Sequence, residues 1–214
     1  MSPGDGIIEH NLFVRCEGEN ELISNKSCNN IYRYNTLLDS KGTQLTLRHG
    51  NDCEVYGNYF RGTEGLRIFG DRHKIYENFF EKNTIGINIG NGGAEVADGA
   101  AMTSHDRPDD CVISKNILID NDVQYFIGRR SNGLGATRIT FSDNTIVGGR
   151  TIARIDGPYP DAVWQNNIVW RTTNIGSLPE NAVKRIDPGP LSPESLKLRV
   201  LSPDDVGPKA FAGK

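Results

Sequence analysis

The chain has 214 residues, 36% of them hydrophobic and 24% charged, a globular balance that argues against disorder. Its 24 Lys and Arg against 27 Asp and Glu give a net charge of −3, which excludes a strongly basic nucleic-acid binder but leaves room for a local basic groove. No apolar run approaches a membrane span, and Met1-Ser2-Pro3-Gly4-Asp5 is not the start of a signal peptide.

The first apolar pair, Ile7-Ile8, opens a pattern that recurs along the chain. Asn11, Asn35, Asn58, Asn78, Asn116, Asn144 and Asn167 each have a large apolar residue three positions before and another two positions after. The preceding set is Ile8, Tyr32, Val55, Ile75, Ile113, Phe141 and Trp164; the following set is Phe13, Leu37, Phe60, Phe80, Leu118, Ile146 and Val169. Such self-similarity is the signature of a solenoid. Short alternating runs such as Cys53-Glu54-Val55-Tyr56 and Leu45-Thr46-Leu47 are strands, and no stretch offers a helical stripe. The expected fold is therefore all-β: a right-handed parallel β-helix of about seven coils, each of three short strands and three turns. A recurring Asn stacks its amide on the next coil and tolerates the left-handed geometry of a tight turn.

The seven asparagines are spaced by 24, 23, 20, 38, 28 and 23 residues, and the 38-residue gap places a loop insertion at about 90–110. Residues 1–173 are read as the β-helix. After Asn174 prolines take over (Pro179, Pro188, Pro190, Pro193, Pro203, Pro208), so 174–214 is read as an extended Pro-rich C-terminal tail packed on the helix. No capping helix precedes Ile7, and an uncapped solenoid end exposes strand edges. Homo-oligomerisation through that N-terminal coil is the expectation. Cys16, Cys28, Cys53 and Cys111 form no CxxC pair and no zinc spacing, and are read as buried small hydrophobes.

The densest polar run is Glu17-Gly18-Glu19-Asn20-Glu21-Leu22-Ile23-Ser24-Asn25-Lys26. On a strand, Glu19 and Glu21 would point to one face, where paired carboxylates favour a hard cation or cationic groups. One coil later, Leu45-Thr46-Leu47-Arg48-His49-Gly50-Asn51 places Arg48 beside Lys26, and Arg67 is expected in the same lateral column. Stacked cations repel one another, so the column points to a groove for a polyanion.

From about Ile7 to Glu81 these motifs, with Gly65-Leu66-Arg67-Ile68-Phe69-Gly70 and His73, resemble polysaccharide lyase family 6, the family of alginate lyases and chondroitinase B. Leu201-Ser202-Pro203-Asp204-Asp205-Val206-Gly207-Pro208 resembles that family's terminus. The resemblance implies β-elimination on a uronic acid in a 1,4-linked polymer, alginate before dermatan sulfate, and a secreted or periplasmic protein. It assigns Lys26 as the base at C5 and Arg48 as the acid or charge stabiliser at the leaving oxygen. It places His49, Arg67 and His73 in the substrate groove, and makes Glu19 and Glu21 ligands of Ca²⁺. A further family asparagine ligand, from the preceding coil, falls before the start of this chain. The alternative is an inactive β-helix that binds acidic polysaccharide. His10 and His105 are read as structural.

Overall fold

The structure is a computed structural model that describes residues 4–97, 104–172 and 174–207. Three parallel sheets wind around one core. The first sheet holds seven strands, Ile7–Glu9, Ile31–Arg33, Glu54–Tyr56, Lys74–Tyr76, Val112–Ser114, Thr140–Ser142 and Val163–Gln165. The second begins with Leu12–Val14, Thr36–Leu38, Tyr59–Arg61 and Phe79–Glu81, and continues with Ile117–Ile119, Thr145–Val147, Asn167–Trp170 and Val183–Arg185. The third holds Glu21–Asn25, Gln44–Leu47, Leu66–Ile68, Ile85–Ile89, Val123–Ile127 and Thr151–Ile155. This is a parallel β-helix, and among the described residues its only helical pieces are three short 3-10 turns after Pro179.

Both apolar sets found in the sequence are inward columns. Ile8, Tyr32, Val55, Ile75, Ile113, Phe141 and Trp164 pair in register down the first sheet. Phe13, Leu37, Phe60, Phe80, Leu118, Ile146 and Val169 do so down the second. Phe60 stacks on Phe80 with centroids 4.6 Å apart, and Phe141 on Trp164 at 3.8 Å. The third sheet supplies Ile23, Leu45, Leu66, Ile87, Tyr125 and Ala153.

The asparagines form a continuous amide ladder between the first two sheets. From Asn35 onward each Oδ1 accepts both the backbone N–H and the Nδ2–H of the asparagine one coil before, as Asn78 does from Asn58 at 3.1 and 3.0 Å. The left-handed residue is not the asparagine itself but the one before it: His10, Tyr34, Gly57, Glu77, Lys115, Asp143 and Asn166 all have φ between 53° and 64°. A ladder this continuous over-determines the turn, so residues that rarely adopt that conformation are held there. A second ladder, Thr63–Asn83–Asn121, runs along the next corner and was not anticipated.

One boundary moves. Gly176 still bridges to Ala153, and Val183–Arg185 adds an eighth strand to the second sheet, so the winding continues past Asn174. The following segment runs back along that sheet, with Leu191, Leu196 and Leu198 against Tyr59, Phe79 and Ile117. Its Leu201 amide donates to Thr36 Oγ1. Cys53 and Cys111 are buried, whereas Cys16 is exposed because it follows the outermost strand of the second sheet; all four are free thiols.

Candidate active site

The chemistry-bearing residues cluster where the third sheet ends and the chain turns toward the first. Asn25, at the end of its strand and only 3% exposed, organises that corner. Its Nδ2 donates to the carbonyls of Ser27 and His49, both at 2.9 Å, while its Oδ1 accepts from Asn30 Nδ2 and the Tyr32 hydroxyl. Its carbonyl accepts the backbone N–H of both Arg48 and His49 at 3.0 Å. One buried amide thus ties together the segments that carry Lys26 and His49. Gly50, at φ 100°, lets the two coils close: a Cβ there would lie 2.2 Å from the Ser27 carbonyl.

The register Asn25–Leu47 sets Lys26 beside Arg48 on the neighbouring coil. Arg67 is not in that column. It pairs with Thr46, which in turn pairs with Ser24, and the residue level with Arg48 is Phe69, because Leu47 pairs with Ile68. A spacing count gives the coil but misses the pleat by two residues. Arg67 instead lays its guanidinium 4.6 Å over the Phe69 ring and heads the outward row Arg67, Asn88, Phe126, Arg154. Burial foremost, and then the Arg48 and Arg130 charges, push its pKa down against the pull of Glu21.

Arg48 Nη1 donates to Glu21 Oε2 at 3.1 Å, and the Glu21 side chain is 8% exposed. Burial raises the Glu21 pKa, but the hydrogen bonds from Ser24 and Arg48, with the Arg48 and Arg67 charges, hold it below the usual carboxylate range. Glu19 lies outside the strand, in the exposed bend before it, so the two acids do not share a strand face. Among the described residues no three His, Cys, Asp or Glu side chains could hold a metal. Calcium takes about six to eight oxygens. Glu21, already engaged by Arg48 and Ser24, and an exposed Glu19 do not fit that requirement by themselves.

His49 is half-buried, and its Nδ1 has no hydrogen-bond partner. Burial first, then Arg48 and Lys26, push its pKa down, so the ring is neutral at neutral pH. His73 is not a groove residue. It is 0% exposed, accepts the Cys53 N–H on Nδ1 at 3.0 Å and donates from Nε2 to the Phe69 carbonyl at 2.9 Å. Burial lowers its pKa to about 4, and its place is inside the turn that carries Phe69.

His105 belongs to the site instead. The insertion folds back on the coil, with Gly93 N–H on the His105 carbonyl and Asp106 Oδ1 accepting the Val96 N–H. This sets the His105 ring 5.1 Å from His49 and 4.6 Å from Phe69. Beyond it lies a cavity of about 430 Å³ lined by Arg67, Asn88, Phe126, His105, Arg129 and Arg130. Residues 98–103 of the expected loop lie outside the described residues. Neither His105 nor Asn25 was singled out by motif spacing. The insertion breaks the repeat, and a buried asparagine beside a lysine leaves no periodic signal.

The model of the family described as chondroitinase B matches residues 1–176. No curated protein matches the chain. Among solved structures, the polysaccharide lyase family 6 alginate lyase AlyGC superposes with a TM-score of 0.79 at 23% identity, covering 96% of this chain and 31% of its own. Alginate lyase AlyF-OU02, solved with G6, gives 0.70 at 22% identity, covering 83% and 44%. A mannuronic acid-specific family 6 lyase from human gut microbiota gives 0.69 at 23%, covering 86% and 45%. The chain spans less than half the length of these structures. It belongs to the chondroitinase B family, polysaccharide lyase family 6.

Proposed function

We propose that this member of the chondroitinase B family is a lyase that cleaves a uronate polymer, alginate, by β-elimination at the Lys26–Arg48 corner. The observation that carries the reading is the corner's unspent polarity: Arg67 Nε and His49 Nδ1 are buried without hydrogen-bond partners beside the Lys26–Arg48 pair. Buried polar groups are normally paired, so these call for a polar, anionic occupant. A uronate carboxylate is the natural partner of a guanidinium.

The proton at C5 of a uronate is a poor acid until the adjacent carboxylate charge is neutralised, and the Arg67 guanidinium supplies that neutralising charge in this reading. Lys26, exposed and free of any ion pair among the described residues, takes the proton in its neutral form. The electron pair forms the C4–C5 double bond, the C4–O bond breaks, and the leaving oxygen takes a proton. Arg48, held by Glu21 at one nitrogen, presents the rest of its guanidinium to that oxygen. Arginine is a weak acid, so its part is charge stabilisation at the leaving oxygen while solvent supplies the proton.

The test is ultraviolet absorbance of the unsaturated uronate end, followed on alginate and on dermatan sulfate, with calcium or with chelator. A rising trace on alginate alone supports the reading. A flat trace on both polymers in every arm, with folded protein that still binds alginate, would replace it by the binding module.

A further inference from the structure

The insertion carries a side chain into the site with no counterpart in the repeat. Arg67, Phe69, His105 and His49 form one continuous run of contacts: guanidinium to ring at 4.6 Å, then tilted ring to ring at 4.6 and 5.1 Å, with interplanar angles of 44° and 33°. The run spans from Arg67, at the edge of the cavity, to the corner of Lys26 and Arg48. His105 is its only member that does not belong to the coil turns carrying the rest. The segment behind it is pinned by the Asp106 bond to Val96 N–H, by bridges Ala94–Asp106 and Asp71–Asp109, and by the Arg138 pairs with Asp109 and Asp110.

We propose that His105 is a positioning residue: wedged between Phe69 and His49, it fixes the His49 imidazole beside Arg48. Ring packing does this, and no proton of His105 is required. The charged groups around His49 are Arg48, Lys26 and Glu21. Those around His105 are His49, Arg48, Arg67 and Arg130. Among so many cations a neutral ring is the member that packs without repulsion. The inference rests on the reading of this corner as the uronate site, but half of its test does not.

The experiment compares His105→Ala, His105→Gln and His105→Phe in the full chain, each checked for the parent's circular dichroism. The first readout is the imidazole resonances of His49 in the unliganded protein, identified by their loss in His49→Gln. Ala and Gln are expected to move them and to raise the His49 titration toward that of an ordinary histidine; Phe is expected to keep both. The second readout is steady-state cleavage of alginate, with KM raised about tenfold by Ala and Gln, kcat changed less, and Phe within twofold of the parent. Unmoved His49 resonances in Ala and Gln would overturn the proposal. So would a Phe variant as impaired as Ala, which would make the His105 nitrogens themselves the substrate contact. If no polymer is cleaved, the reading of function fails, while the resonances still decide the role of His105.

Discussion

Asn25 and Asp71 show how much of this site is settled by single buried side chains. Asn25 spends its amide on four partners and so fixes the corner on which Lys26 and His49 stand. Asp71 sits at the equivalent corner of a later coil, stacked on Asp109 and close to Asp106, each with one buried oxygen lacking a partner. Burial, and then the Asp106 charge, push Asp71 from 3.8 up to about 7. A carboxyl raised in this way favours folding fully below its unfolded pKa, and that contribution is lost as pH rises through the folded value. Asp71→Asn should therefore lose less stability than the parent between about pH 5 and about pH 8, by a few kcal/mol in urea denaturation. Equal losses in the two proteins would show that Asp71 is ionised throughout. The buried state of His73 was not legible in the sequence, because coil spacing places a residue on a turn without saying which way its ring faces. Lys26 beside Arg48 was legible, since both follow directly on paired strand ends.

At the scale of the element, the first two strand columns could be read from sequence because the ladder asparagines mark the corner between them at fixed offsets. The third sheet has no such marker. Its coils differ in turn length, so counting from Arg48 to Arg67 slipped by two residues along the strand. The ladder also predicts a gradient of mutational cost. Asn78→Ala removes the acceptor of two Asn58 bonds and the donor to the Val55 carbonyl, all buried, and leaves the Asn116 Oδ1 with the backbone N–H alone. At about 1–3 kcal/mol for each buried group left unsatisfied, it should cost several kcal/mol. Asn11→Ala, at the exposed end with bonds to Glu9 and Asn35, should cost about 1 kcal/mol or less. Chemical denaturation of the two variants checks the order, and equal costs would mean that the asparagines act as independent turn residues.

The whole molecule is a solenoid in which each coil touches mainly its neighbours, and such arrays lose cooperativity as they lengthen. The returning C-terminal segment offsets this. It lays Leu191, Leu196 and Leu198 across several coils of the second sheet and reaches Thr36 with Leu201. Leu198→Ala should cost about 2 kcal/mol or more, from buried leucine lost at a seam. It should also broaden the thermal transition, and an unchanged width would show that the coils hold together without the strap. The proline run made an extended segment legible but not its direction, since nothing in its own composition says which face it covers. At the other end, Ile8, Phe13, Leu22 and Ile23 are only partly buried against the core.

β-Elimination at this corner turns on Lys26, and the most direct test follows unsaturated uronate formation from alginate in the parent and in Lys26→Ala, with alginate binding measured on the same samples. The expected result is a rising trace for the parent, no detectable turnover for Lys26→Ala, and binding within a few-fold of the parent. Turnover retained by Lys26→Ala would contradict it and move the base elsewhere in the corner.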